Sequence, residues 1–193
     1  MNKSSFTLGI SAGRLQRFRT TLDACENVAN HFAGMLTGLR SGLNLRRATS
    51  RDNESISDFL NHIFLYKGHL ASEALRSDQE LADINQAYQD RDAFFGVMTN
   101  QNDIVGTVGI KRFDSYSCEL KKLHLCPEFT NQENAKKMLD FALDRARALN
   151  YEQCIVRMLP GEPEIQNFLL MNGFNPTCRA VELSGNFLCR TLR

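Results

Sequence analysis

Glu119-Leu-Lys-Lys-Leu-His-Leu-Cys-Pro-Glu-Phe-Thr-Asn-Gln-Glu-Asn-Ala-Lys-Lys-Met-Leu139 is the stretch that decides the fold. It reads as a strand, a short polar loop and a helix. That order presents a row of free backbone N–H groups at a helix N-terminus, where an anion such as a pyrophosphate can sit. The strand is expected over Ser117–Cys126. The helix is expected over Asn131–Leu149, with Ala135, Met138, Leu139, Ala142, Leu143 and Ala146 on one face. Asn150 stands where a left-handed C-cap residue is wanted.

Upstream, Leu43–Ala48 alternates apolar and polar residues as a first strand does. Asp52 is positioned to cap a helix whose apolar face is Ile56, Phe59, Leu60, Ile63 and Phe64, with Gly68 as its stop. Ser77-Asp-Gln-Glu80 reads as a capping box opening a helix with Leu81, Ile84 and Tyr88. Strands over Ala93–Thr99 and Ile104–Arg112 flank the polar hairpin loop Asn100–Asp103. Downstream, Gln153–Leu159 is a strand, and Pro163 opens a helix that Gly173 closes. Cys178–Leu183 and Phe187–Leu192 form a hairpin around Gly185-Asn186. The order β–α–α–β–β–β–α–β–α–β–β predicts an α/β (α+β) domain, a mixed sheet covered by helices.

Residues 14–40 read as a separate unit. Leu15, Phe18, Leu22, Cys25, Ala29, Phe32, Leu36 and Leu39 recur at spacings of three and four, a stripe down one helix face that Val28 and Met35 widen. The stripe fits an amphipathic helix packed on its own domain; the sharper reading is a homodimer helix. The chain thus divides into residues 1–43, a basic arm and amphipathic helix, and 44–193, the α/β domain. Lys3, Arg14, Arg17 and Arg19 precede the first acid, Asp23; transit peptides share that composition, and a basic arm is the simpler reading.

The whole composition excludes several classes. A net charge of +1 offers no global field for nucleic acid or an acidic membrane, and no apolar run approaches a membrane span. Six cysteines show neither CxxC pairing nor zinc spacing, and read as small buried thiols in a reducing cytoplasm.

The strand and loop of 119–139 resemble the central motif of the GCN5-related N-acetyltransferase (GNAT) superfamily, a strand of the type E-L-K-R-L-Y-V-x-P running into an acetyl-CoA loop of the type Q/R-x-x-G-x-G/A. Leu45–Asp52 is similar to the usual opening strand and turn. Asp78, Leu81, Asp83, Ile84 and Tyr88 resemble a pattern of one subgroup, Ile104–Ile110 resembles the family's I-V-G-T-V-G-L strand, and Asn172-Gly-Phe174 its closing L-G-F. The resemblance runs from about Leu43 to Phe174. It implies a mostly antiparallel, twisted sheet flanked by helices, with residues 14–40 as an extra N-terminal helix. It also implies direct transfer of an acetyl group from acetyl-CoA to an amine, without a metal.

The resemblance places Glu119 at the position of the catalytic base; the plainer alternative is a strand carboxylate that is solvated or paired with Lys121 or Lys122. It implies cofactor contacts from the backbone of Leu123, His124 and Leu125, and from the loop and first helical turn, Thr130, Asn131, Gln132, Glu133, Asn134, Ala135 and Lys136. The loop departs from the pattern at Thr130, where Gln or Arg is usual, and at Glu133, where a glycine lets backbone approach the pyrophosphate. An unpaired carboxylate there weakens binding by about two decades, so Glu133→Gly is expected to tighten it about tenfold. Lys136 and Lys137 are candidates to compensate, or simply a solvated face. Leu169 stands where the family carries a tyrosine acid; Tyr88, Tyr116 and Tyr151 are the alternatives. Arg157 replaces a glutamate of many relatives, either to bind an acidic substrate or partner or as an exposed strand residue paired with a neighbouring carboxylate. The reading is an acetyl-CoA-dependent N-acetyltransferase acting on a small-molecule or protein amine, with an inactive GNAT-fold binding protein as the alternative that Thr130, Glu133 and Leu169 favour.

Overall fold

The computed structural model describes residues 42–67, 80, 83–158, 162–176 and 186–192. Within these residues, strands β1 (Leu43–Arg47), β2 (Phe94–Asn100), β3 (Asp103–Arg112), β4 (Ser117–Leu125), β5 (Gln153–Arg157) and β6 (Phe187–Thr191) lie side by side in chain order. The described helices are α1 (Asn53–Lys67), α2 (Ile84–Ala87), α3 (Gln132–Ala148) and α4 (Pro163–Met171). β2 and β3 are joined by a tight turn in which Asn100 opposes Asp103 and Gln101 is left-handed at φ 57°. β4 and β5 run parallel because α3 carries the chain back between them; the other neighbours are antiparallel. The mixed, mostly antiparallel sheet is the one expected.

The two faces are covered by different helices. Phe94 and Gly96, with their partners Ile110 and Val108, face α3: Phe94 packs edge-on to Phe141 at 5.3 Å. Phe95 and its partner Gly109 face α2, where Tyr88 packs edge-on to Phe95 at 4.9 Å. α3 buries Met138, Leu139, Ala142, Leu143 and Ala146, five of the six residues expected on its apolar face; Ala135 is only half-buried. α1 buries Ile56, Phe59, Leu60 and Ile63, and its first residue is tied to the start of α2 through Asn53 Nδ2 donating to Asp83 Oδ1 at 2.7 Å.

Local signals placed the ends of several elements. Asn131 caps α3, its side chain accepting from the Asn134 N–H at 2.8 Å. Asn150 at φ 64° and Gly173 at φ 81° follow α3 and α4 in the left-handed region. Asp52 departs from expectation. A 3-10 turn over Ser50–Asp52 precedes α1, and the Asp52 carboxylate turns back to accept from the Thr49 N–H at 2.7 Å and to pair with Arg46 at 2.7 Å. The bond from Arg46 holds the Asp52 carboxyl far below the usual carboxylate range. Asp52 therefore closes the turn after β1 instead of capping α1.

Cys118, Cys126 and Cys154 are buried thiols as expected, whereas Cys189 is disulfide-bonded. The helical stripe of 14–40, Ser77, Gly68 and the strand expected over Cys178–Leu183 lie outside the described residues. Among those described, no helix is long and apolar enough to cross a membrane.

Candidate active site

β4 and β5 pair only from Ser117–Gln153 to Glu119–Ile155. Beyond Glu119, β4 bends away. Its register against β3 shifts between Thr107, opposite His124, and Gly109, opposite Lys121. The extra residue is accommodated at Lys122, left-handed at φ 55°, whose carbonyl accepts from the Thr107 hydroxyl at 2.9 Å. A bulge of this kind bends a strand and increases its twist. The β4 edge past Glu119 is thus left without β5 as a ladder partner.

The chain then passes through a 3-10 turn, Pro127–Phe129, into α3. The Thr130 hydroxyl donates to the Cys126 carbonyl at 3.0 Å, and Asn134 Nδ2 donates to the Phe129 carbonyl at 2.9 Å. These bonds pin the loop under the helix end. The N–H groups of Gln132 and Glu133 have no intrahelical partner, and the helix end carries partial positive charge.

The gap between the bent β4 and α4 is a cleft of about 840 Å³. Of the residues expected at a cofactor site, Leu123, His124, Leu125, Thr130, Asn131, Gln132 and Ala135 line it. His124 meets the Phe64 ring edge-on at 5.3 Å. Glu133, Asn134 and Lys136 do not line it. Asn134 is buried in the loop bonds just described. Lys136 pairs with Asp140 at 2.6 Å, and Glu133 with Lys137 at 2.6 Å, both on the exposed side of α3. The opposite wall, Ile63 of α1 with Ile165, Phe168 and Met171 of α4, carries no sequence signal beyond helical periodicity. Which helix face meets a cleft depends on tertiary placement.

Glu119 sits at the apex where the strands part, with a side chain 18% exposed. Its Oε1 lies 3.7 Å from Arg157 Nε on β5. The expected pairing with Lys121 or Lys122 is not found. Lys121 Nζ instead lies 2.8 Å, and Lys111 Nζ 3.0 Å, from the same Oε1 of Glu80, with Lys122 3.9 Å from its other oxygen. Burial pushes the Glu80 carboxyl up, but the bonds from Lys121 and Lys111 outweigh it and the pKa falls below the ordinary value. Ser77, the other half of the capping box expected with Glu80, lies outside the described residues.

Leu169 is fully buried, and among the described residues that line the cleft there is no tyrosine. Tyr88 is buried and donates to Glu80 Oε2 at 3.2 Å; Tyr151 donates to the Asp92 carbonyl at 2.7 Å; Tyr116 is an exposed residue beside β4. Among the described residues, no three His, Cys, Asp or Glu side chains gather into a metal-holding group. A second hollow, about 700 Å³ between the end of β1 and α2, contains none of the expected cofactor residues.

The acetyltransferase (GNAT) family matches residues 56–169, more than half of the chain. The N-acetyltransferase YjgM of Escherichia coli K12, itself described as uncharacterized, is 26% identical over 114 residues, covering 57% of this chain and 68% of that one. An acetyltransferase of the GNAT family from Staphylococcus aureus Mu50 superposes with a TM-score of 0.68 at 21% identity, over 79% of this chain and 100% of that one. The PaiA N-acetyltransferase of Thermoplasma acidophilum, in complex with coenzyme A, superposes with a TM-score of 0.63 at 17% identity, over 78% and 99% of the two chains. The parted strands, the open helix end and the match of sequence agree: the chain belongs to the acetyltransferase (GNAT) family.

Proposed function

We propose that this protein is an N-acetyltransferase that takes the acetyl group of acetyl-CoA and passes it to an amine held beside Glu119. The observation that carries the reading is the opening of the β4–β5 gap, the α3 N-terminus and the α4 wall into one cleft. The volume suits a small-molecule site. The unpaired β4 edge at Leu123–Leu125 supplies backbone donors and acceptors for the amides of a pantetheine arm. The Gln132 and Glu133 N–H groups supply donors for a pyrophosphate. Glu133 fits because its carboxylate is paired with Lys137 on the exposed side of the helix. Coenzyme A bound to the Thermoplasma acidophilum protein of the same fold supports the same ligand here.

When bound, acetyl-CoA supplies an activated acetyl thioester. Glu119 accepts the proton that the attacking ammonium must lose, directly or through water. Holding the amine in the cleft makes the encounter effectively unimolecular. With Leu169 in the core, water carries a proton to the leaving thiolate.

Isothermal titration with acetyl-CoA at moderate salt tests the reading. Micromolar binding, together with acetylation of an amine that Glu119→Gln abolishes, is the expected result. No heat up to millimolar ligand overturns it in favour of a GNAT-fold binding protein.

A further inference from the structure

Arg157 stands out among the charged side chains around the apex. Its side chain is 61% exposed, and its guanidinium lies over the Phe187 ring at 5.3 Å, which in turn meets Phe113 edge-on at 6.4 Å. Its ionic contact is the 3.7 Å approach of Nε to Glu119, too long for a hydrogen bond. A guanidinium has five N–H donors in a planar fork that matches a carboxylate. Here the fork is oriented by an aromatic ring, and none of its donors is used for a hydrogen bond among the described residues. It sits beside Glu119, the carboxylate proposed to take the acceptor's proton.

The surroundings share its sign. Lys111 opposes Glu119 across the β3–β4 ladder, and Lys121, two residues on, lies on the same face of the sheet. Both ammonium groups share a single oxygen of Glu80. Among the described residues, Lys111, Lys121 and Arg157 meet two carboxylates, Glu80 and Glu119. Partly buried charge of one sign lowers the energy of an incoming opposite charge and opposes a like one. A polyamine meets repulsion here. An amine that also bears an anion does not.

We infer that the acceptor is an amine carrying a carboxylate, which Arg157 binds while the amine lies at Glu119. The 3.7 Å between Nε and Oε1 sets the scale: about one or two carbon atoms separate amine and carboxylate, as in an α- or β-amino acid. In the transfer, a C–N bond forms as the thioester C–S bond breaks. The ammonium's first proton goes to Glu119; the attacking nitrogen's second proton passes through water to the departing thiolate, so coenzyme A leaves as the thiol. This inference rests on the acetyl-transfer reading and narrows its acceptor.

The test follows coenzyme A thiol release by the full chain with acetyl-CoA and matched acceptor pairs: leucine and 3-methylbutylamine, phenylalanine and phenethylamine, β-alanine and ethylamine, with spermidine as the cationic control. Rates are compared at equal free-amine concentration. The expected result is a preference of about tenfold or more in kcat/KM for each carboxylate-bearing member. Arg157→Gln brings that ratio to near one through KM, and Arg157→Lys keeps part of it. A wild-type preference for the decarboxylated amines or spermidine overturns the inference, as does a ratio unmoved by Arg157→Gln, or the absence of turnover of every amino acid while acetyl-CoA binds. Titration with acetyl-CoA alone separates the two levels: lack of binding sinks the acetyl-transfer reading and this one with it, whereas binding with the wrong preference sinks only this one.

Discussion

Oε1 of Glu133 lies 2.6 Å from Nζ of Lys137, one turn further along α3. The pairing changes the meaning of the least familiar residue in the loop. Glu133 is 76% exposed, its ionised form favoured by the hydrogen bond from Lys137, so its charge is both countered and screened by solvent. Glu133→Gly is therefore expected to tighten acetyl-CoA binding by only about threefold, less than the tenfold expected of an unpaired carboxylate. Lys137→Gln, which releases the carboxylate, weakens binding by a similar factor. Calorimetry at low and high salt checks both, and high salt shrinks both.

Glu119→Gln separates binding from chemistry. Glu119 stands at the apex and is not among the residues lining the cleft, so the dissociation constant for acetyl-CoA stays within about twofold of wild type. The loss of a general base lowers kcat by about 10²-fold or more. Steady-state kinetics beside calorimetry reads the two quantities separately.

Lys122 gives the protein a measurable pH signature. Its side chain is 8% exposed, and burial pushes its ammonium down to about 8 from an ordinary 10.5. Between those values the unfolded chain binds the proton that the folded chain has released, so stability rises with pH across that window. Below it the penalty is present in full. Lys122→Met is expected to raise the unfolding free energy by about 1–3 kcal/mol at pH 7. The advantage shrinks as pH climbs from about 8 towards 10.5. Urea unfolding of both proteins at several pH values measures the difference; a gap that widens with pH contradicts the assignment.

Gly109 is expected to tolerate no side chain. A Cβ there meets Cε1 and Oη of Tyr88, each at 2.8 Å. Tyr88 is 3% exposed and holds Glu80 through its hydroxyl, so it has no room to swing aside. Gly109→Ala is expected to destabilise the fold by about 1–3 kcal/mol. At Gly96 the nearest atom, 2.8 Å away, is Cε1 of the only partly buried Phe141, and Ala is less costly there. Denaturant midpoints of the two variants give the ranking.

The features legible in the chain before it folds are local ones. The β4 strand, the helix that follows and the terminating residues Asn150 and Gly173 all follow from signals within a few residues of one another. Backbone hydrogen bonding and side-chain periodicity act at that range. Asp52 was misread because two short-range partners compete for one carboxylate: α1 ahead of it, and Thr49 with Arg46 behind, which prevailed. The partners of the charged residues were beyond reach. Glu80 meets Lys111 and Lys121 across 31 and 41 residues of chain, and Glu119 meets Arg157 only because β5 returns parallel to β4. Such contacts depend on strand register and on where the helices dock. A side chain's charge states what kind of partner it needs, and only the packed sheet decides which partner arrives.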